Sequence, residues 1–90
     1  MKISEFKNHN WADSEIISIN LETRQLLLKI KDWKENIWEV SFDKVFLFCF
    51  KDCIGEEISH ILFKKLEGES EVSFISAWEE EEILKIGWNE

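Results

Sequence analysis

The stretch from Ile37 to Phe50, IWEVSFDKVFLFCF, constrains the fold of this chain more than any other. Residues 45–50 are all apolar, and four of the six are β-branched or aromatic, which is typical of a strand. A strand that is apolar on both faces must be covered on both faces. Residues 37–42 alternate apolar with polar side chains, as in a strand with one wet face. We therefore expect one strand that begins half exposed and ends doubly buried, with a bulge at Asp43 and Lys44.

The segments on either side of this stretch also alternate as strands do. Glu15–Leu21 and Gln25–Asp32 are separated by a short polar connection, which predicts an antiparallel hairpin that continues into the central strand as a meander. Later in the chain, Glu71–Trp78 and Ile83–Trp88 show strand composition again. Glu71–Trp78 is predicted as a strand together with the β interpretation of the segment before it, which is considered next.

Residues 54–66 allow two interpretations. Their apolar residues fall at helical spacing, and Gly68 stands where a helix C-cap would, which favours an α+β fold with a helix at 55–66 packed on the sheet. The alternative is a short helical turn near residues 54–58 followed by a strand at His60–Leu66. With that sixth strand the chain is a mainly β single domain over residues 1–90, an antiparallel meander of about six strands curled on itself.

Length and composition narrow the class of protein. Ninety residues make one domain, and a hydrophobic content of 44% is enough for a core, which excludes the disordered class. The sequence has no window of about 18 apolar residues that could span a membrane. The N-terminal residues lack the apolar core of a secretion signal, so we expect a cytoplasmic protein.

The net charge of −8 is concentrated in the last quarter of the chain. Residues 67–90 hold eight acids and one base, whereas residues 1–66 hold eleven acids and ten bases. Such a segment repels phosphate backbones, so we expect no nucleic-acid partner. It attracts a basic protein and accelerates its association, although a solubilising surface is the alternative interpretation.

The residues that could carry chemistry do not form a strong motif. Cys49 and Cys53, with His60 and His9, offer four zinc ligands, but their spacing matches no established pattern, and plain thiols are the simpler interpretation. The two histidines lack the surrounding groups that acid–base catalysis requires. Asp13 and Glu15 would share one strand face, yet short polar residues at a strand entrance usually bond nearby backbone. We expect no catalytic residues, no metal and no cofactor.

Five tryptophans in ninety residues is a high proportion. Trp38 lies on the inward face of its predicted strand, whereas the other four stand at strand ends or turns. Tryptophan at such positions either closes a small core or anchors a partner. Trp78 and Trp88 flank the acidic run Glu79–Glu82, and an aromatic patch beside charge is typical of an interface.

Two short motifs resemble those of a known group of proteins. Residues 11–16, Trp-Ala-Asp-Ser-Glu-Ile, precede the first strand, and residues 76–79, Ser-Ala-Trp-Glu, precede the last. Both resemble small bacterial single-domain proteins of the polymorphic-toxin immunity type, except that Ala12 stands where a histidine is usual. The resemblance implies an antiparallel β fold, a strand in the contested segment, and a function of binding and blocking a toxin. The only residues to which the resemblance could assign a role are Trp11, Asp13, Ser14 and Trp78.

We therefore predict a non-catalytic protein-binding module, of which an immunity protein that blocks a basic toxin domain is the specific form. The predicted binding residues are Trp11, Asp13, Trp78, Glu79, Glu80, Glu81, Glu82 and Trp88. The alternative function is a homo-oligomeric structural or accessory protein with no separate activity, in which a second copy covers the doubly apolar residues 45–50.

Overall fold

The computed structural model describes residues 3–78 and 82–89, which form one short helix and seven strands. The elements are α1 (Ile3–Asn8), β1 (Ser14–Glu22), β2 (Gln25–Lys31), β3 (Ile37–Phe42), β4 (Val45–Phe50), β5 (Glu57–Leu66), β6 (Glu69–Ser76) and β7 (Leu84–Trp88). The strands form one antiparallel sheet in the order β3-β2-β1-β5-β6-β7-β4. The predicted mainly β fold and the opening three-strand meander are confirmed.

Local turn chemistry explains the first hairpin. Thr23 and Arg24 both take positive φ, 39° and 67°, in the two-residue connection between β1 and β2. Positive φ at both central residues is the geometry whose twist matches the twist of the paired strands. Glu22 and Gln25 consequently stand opposite each other at the end of the ladder.

The stretch 37–50 divides into two strands at Asp43 and Lys44, and these strands lie at opposite edges of the sheet. Lys44 takes a φ of 58°, so the chain leaves the extended conformation there. The prediction of one strand with a bulge at this place is therefore wrong. Alternation of side chains reports that a segment is extended, but it carries no information about which strand lies beside it.

This connection obliges the sheet to curl. The Cα atoms of Phe42 and Val45 can lie at most about 11 Å apart, since consecutive Cα atoms are about 3.8 Å apart. In a flat sheet the outer two of seven strands would be about 29 Å apart. The curled sheet brings the backbone N–H of Val45 within 2.7 Å of the carbonyl oxygen of Arg24, to which it donates. The rings of Phe42 and Trp88 meet with 5.1 Å between their centroids.

The sheet is curled but not closed along its whole length. Within the described residues, β1 pairs with β5 only at Ser14 and Glu15, because the two antiparallel strands overlap only where each of them begins. The carbonyl oxygen of Ile16 instead accepts the N–H of Gly55 at 3.0 Å, in the turn before β5. The domain is therefore an open sheet with its core on the concave side.

The contested segment is a strand, which confirms the mainly β interpretation, and the alternative helix over 55–66 is not formed. β5 pairs with β6 from end to end, with a register shift between Ile58 and His60. That shift turns both Ile58 and Ile61 toward the core although they are three residues apart, which imitates helical spacing. A helical turn was expected near 54–58. The structure instead has a tight turn in which the N–H of Glu56 donates to the carbonyl oxygen of Cys53 at 3.0 Å.

Phe6 of α1 stands at the centre of the core. Its side chain is 1% exposed, and its ring centroid lies 5.2–6.3 Å from the centroids of four other rings. These rings belong to Trp11, Phe42, Phe63 and Phe74. The indole N–H of Trp11 donates to the carbonyl oxygen of Phe6 at 2.8 Å. The short helix is thus tied to the sheet by packing and by one buried hydrogen bond.

Asp32 fastens the turn between β2 and β3. Its buried carboxylate accepts the N–H groups of Lys34 and Asn36 at 3.0 and 2.9 Å and the indole N–H of Trp38 at 2.8 Å. His9 Nε2 lies 3.2 Å from the same carboxylate. Burial alone would raise the pKa of Asp32, but these hydrogen bonds and the charge of His9 hold it below the ordinary value of 3.8.

We expect Asp32→Asn to destabilise the fold by about 2 kcal/mol at neutral pH, because an amide cannot accept all these donors. Because the pKa of Asp32 is lower in the folded protein, its carboxylate stabilises the fold fully above pH 3.8. This contribution is lost as the pH falls through the pKa that Asp32 has in the folded protein. Urea unfolding at several pH values should therefore show a weaker acid dependence for Asp32→Asn than for the native chain. The exposed Asp52, changed to Asn, is the control, and equal acid dependence in all three proteins would contradict the assignment.

Candidate functional site

A groove of about 680 Å³ runs along the convex face of β5 and β6. Because side chains alternate along a strand, the residues between those that face the core line this groove. They are His60, Leu62 and Lys64 of β5, and Glu71, Ser73 and Ile75 of β6. The pairs Leu62 with Ser73 and Lys64 with Glu71 stand directly opposite each other across the two strands.

The segment that joins β6 to β7 borders this groove. Ser76 Oγ accepts the backbone N–H of Trp78 at 3.0 Å, which turns the chain at the end of β6. Trp78 is 79% exposed. Glu79, Glu80 and Glu81 lie outside the described residues. Glu82 is described, and it lines the groove. Of the predicted binding residues, Glu82 lines the groove, and Trp78 follows two residues after Ser76, which also lines it.

Lys85 of β7 balances the acidic wall of the groove. Its Nζ lies 3.3 Å from a carboxylate oxygen of Glu82 and 3.6 Å from one of Glu71. The hydrogen bond to Glu82, followed by the charges of Glu71 and Glu82, raises the pKa of Lys85. Lys64 also lines the groove, directly opposite Glu71, so the two lysines balance the two described carboxylates.

Two of the predicted binding tryptophans are core residues. Trp11 is 4% exposed and Trp88 is 6% exposed. Trp88 pairs with Val45 and Ser70 in neighbouring strands, and its ring packs against Phe42. Neither side chain can serve as an exposed anchor in this conformation, so the aromatic part of the candidate surface is reduced to Trp78.

Asp13 lies apart from the groove lining, in the turn before β1. Its φ is 62°, and its N–H donates to the carbonyl oxygen of Ile58 at 2.9 Å, which starts the contact between β1 and β5. Glu15, its proposed companion, has a carboxylate oxygen 3.6 Å from Lys31 Nζ on the next strand. Asp13 is exposed and does not line the groove, and its backbone hydrogen bond gives it a structural role in this turn.

The groove itself escaped prediction from the sequence, apart from Glu82 at its border. His60 was considered as a catalytic group, and it lines the groove as an exposed side chain whose Nδ1 lies 3.3 Å from Ser59 Oγ. Leu62 is 53% exposed although it lies in the middle of β5. The sequence offered one signal for this groove, an apolar residue at a strand position that faces outward. That signal could be recognised only if the register of β5 was known.

The proposed zinc ligands are spread over different environments. Cys49 is an exposed thiol on β4, whereas Cys53 is fully buried. His9 packs between Trp11 and Trp38 and contacts Asp32, while His60 lies on the convex face. Among residues 3–78 and 82–89 no group of three or more metal-ligating side chains lies close enough to hold an ion. The same residues contain no helix of the length and apolar character needed to cross a membrane.

The two thiols should differ sharply in reactivity. Burial, followed by the charges of Asp52 and Glu56, raises the pKa of Cys53 to about 11, so its nucleophilic thiolate is scarce at neutral pH. We expect one thiol per chain to react with a chromogenic disulfide reagent in the native protein and both to react in denaturant. Cys49→Ser should remove the native reaction. Rapid reaction of that variant would show that Cys53 is accessible.

Searches of protein-family models, of curated proteins and of solved structures found no match to this chain. No family is therefore shown, and the resemblance of residues 11–16 and 76–79 to immunity-type proteins stays a prediction. The candidate surface consequently rests on its own geometry, which is the exposed Trp78, Glu82 and the adjoining groove.

Proposed function

We propose that this chain is a non-catalytic protein-binding module that holds a basic protein at Trp78, Glu79–Glu82 and the groove beside them. The observation that carries the proposal is the exposure of Trp78, whose side chain is 79% exposed immediately before four consecutive glutamates. A large aromatic side chain left in water next to concentrated charge is the composition of an interface anchor and its rim.

The distribution of charge supports a basic partner. Residues 67–90 hold eight acids against one base, and the base, Lys85, already contacts Glu71 and Glu82. Such a field accelerates encounter with a positively charged surface, and its effect declines as salt screens it. The groove offers an apolar wall at Leu62 that suits the aliphatic stem of a lysine or arginine, while the excess of negative charge comes from the run Glu79–Glu82.

The specific form of the proposal is an immunity protein, for which the support is the resemblance of residues 11–16 and 76–79. A protein of this kind acts by blocking a toxin domain without turnover. If the toxin is a nuclease, Glu79–Glu82 would stand where the phosphates of its substrate lie.

The role of charge can be tested once a partner captured from the native lysate at low salt has been identified and purified. Changing all four of Glu79, Glu80, Glu81 and Glu82 to Gln should slow association at least about tenfold at low salt and change dissociation much less. The matched control changes four exposed acids outside residues 67–90, Glu5, Glu22, Glu35 and Glu39, to Gln. Equal association rates for the two variants at every salt concentration would contradict the proposal.

The role of Trp78 requires a separate measurement. Trp78→Ala should weaken binding by about 2 kcal/mol, mainly through faster dissociation, because the side chain is buried only in the complex. Trp33→Ala is the control, since Trp33 is 52% exposed at the turn between β2 and β3. If both substitutions change the dissociation rate equally, or neither does, Trp78 is not the anchor.

A further inference from the structure

A pocket of about 90 Å³ lies at the rim of the core, where α1 meets the end of β5, the start of β6 and the end of β7. Its lining includes Lys7, Phe63, Lys65, Ser70 and Trp88. Lys65 stands opposite Ser70 in the sheet, and Ser70 stands opposite Trp88, so these three residues form one row across three strands. Phe63, two residues before Lys65, packs against the core. Because alternate residues of a strand share a face, the row and the pocket lie on the concave face, opposite the groove.

The hydroxyl group of Ser70 is buried in this row. Ser70 is 5% exposed, and its Oγ has no hydrogen-bond partner in the part of the chain that the structure describes. Val72 and Phe74, the next residues of β6 on the same face, are both apolar core residues. Leaving a buried hydroxyl unbonded is unfavourable. Its position on the wall of a pocket therefore indicates that the pocket holds a group that bonds to it.

Two lysines face the pocket from different elements, Lys7 from α1 and Lys65 from β5. Lys64 and Glu71 complete the lining, but both alternate toward the groove, where a carboxylate oxygen of Glu71 lies 3.6 Å from Lys85 Nζ. Among the described residues that line the pocket, no other is acidic, although acids outnumber bases 19 to 11 in the whole chain. The concave face of the pocket is therefore locally positive.

The ring of Phe63 holds Lys7 at the pocket. Lys7 Nζ lies 5.2 Å from the centroid of this ring, which is within the range of a cation–π interaction. Phe6, the residue before Lys7, fixes the helix because its side chain is 1% exposed in the core. One ammonium group is thus in position before a ligand arrives, which lowers the entropy cost of binding.

We propose that this pocket binds a small oxyanion of the phosphate class, held by the hydroxyl of Ser70 and the ammonium groups of Lys7 and Lys65. Phosphate has several acceptor oxygens, so it can accept hydrogen bonds from all three groups, and those from the lysines are charge-assisted. An ammonium group has three donors, so Lys65 can bind the anion together with another acceptor.

Charge and size favour an anion over water as the occupant. Water would satisfy the hydroxyl of Ser70, but it would leave two cations side by side without a shared counter-ion. The pocket of about 90 Å³ is also much larger than the roughly 10–15 Å³ that one water needs. This site lies on the opposite face of β5 and β6 from the groove, so it does not depend on the proposed protein partner.

The test titrates the native chain with inorganic phosphate at constant ionic strength and follows its backbone and indole N–H resonances by NMR. We expect saturable shifts centred on Ser70 and on Trp88. Ser70→Ala and Lys7→Met should each raise the dissociation constant about tenfold, because each removes one hydrogen bond to a charged group. Ser70→Ala removes a hydroxyl that bonds no described residue, so this variant should fold as the native chain does.

Lys34→Met and Ser14→Ala are the matched controls. Lys34 Nζ also lies over an aromatic ring, 4.8 Å from the ring centroid of Trp33. Ser14 Oγ is likewise buried without a hydrogen-bond partner among the described residues. Neither Lys34 nor Ser14 lines the pocket, so both controls should keep the native dissociation constant.

Glycerol phosphate, as a second probe, distinguishes a free anion from a phosphoryl group carried by a larger molecule, since only the second kind of site accepts the ester as tightly as phosphate. Three results would overturn the proposal. An absence of shifts at Ser70 would mean that the pocket holds only water. Shifts that do not saturate, or that are equally large at exposed lysines elsewhere, would mean non-specific attraction. A native dissociation constant in either Ser70→Ala or Lys7→Met would mean that the anion binds elsewhere.

Discussion

The two-residue connection between β3 and β4 is the constraint on which the rest of the structure depends. It joins the opposite edges of a seven-stranded sheet, so the described strands must curl until Phe42 and Trp88 touch. Curling gives the sheet a concave face that one six-residue helix can fill, with Phe6 at its centre. It also leaves a convex face on which β5 and β6 form a groove.

A domain of ninety residues cannot cover both faces of every strand. The consequence is clearest at β4, where the one helix of the described residues packs elsewhere and four aromatic or aliphatic side chains remain wholly or partly exposed. The convex face of β5 shows the same effect at Leu62. The apolar surface that remains outside the core is therefore concentrated on two separate parts of the sheet. One lies beside the acidic segment and the other on β4, a strand without charged residues.

Only part of the candidate site could be predicted from the sequence. Four of the predicted binding residues show why. Trp78 follows a strand, and its neighbour Ser76 turns the chain so that the indole faces water. Trp11 and Trp88 also stand at strand ends, yet both close the core. Asp13 resembles a site residue in sequence, but it takes a left-handed conformation in a turn. A residue at a strand end can be buried or exposed. Which of the two occurs depends on the side chains that the curled sheet brings next to it.

By itself the sequence determined which segments are extended and which of their faces is apolar, since alternation of side chains is a local property of the backbone. It also determined where the negative charge lies. The tertiary structure alone decided that Ile37–Phe50 divides between the two edges of the sheet, and that residues 57–66 form a strand whose bulge imitates helical spacing. Strand order and register depend on contacts between residues far apart in the chain, and no local pattern records them. For that reason the groove on β5 and β6 and the position of β4 at the edge of the sheet became visible only in the folded molecule.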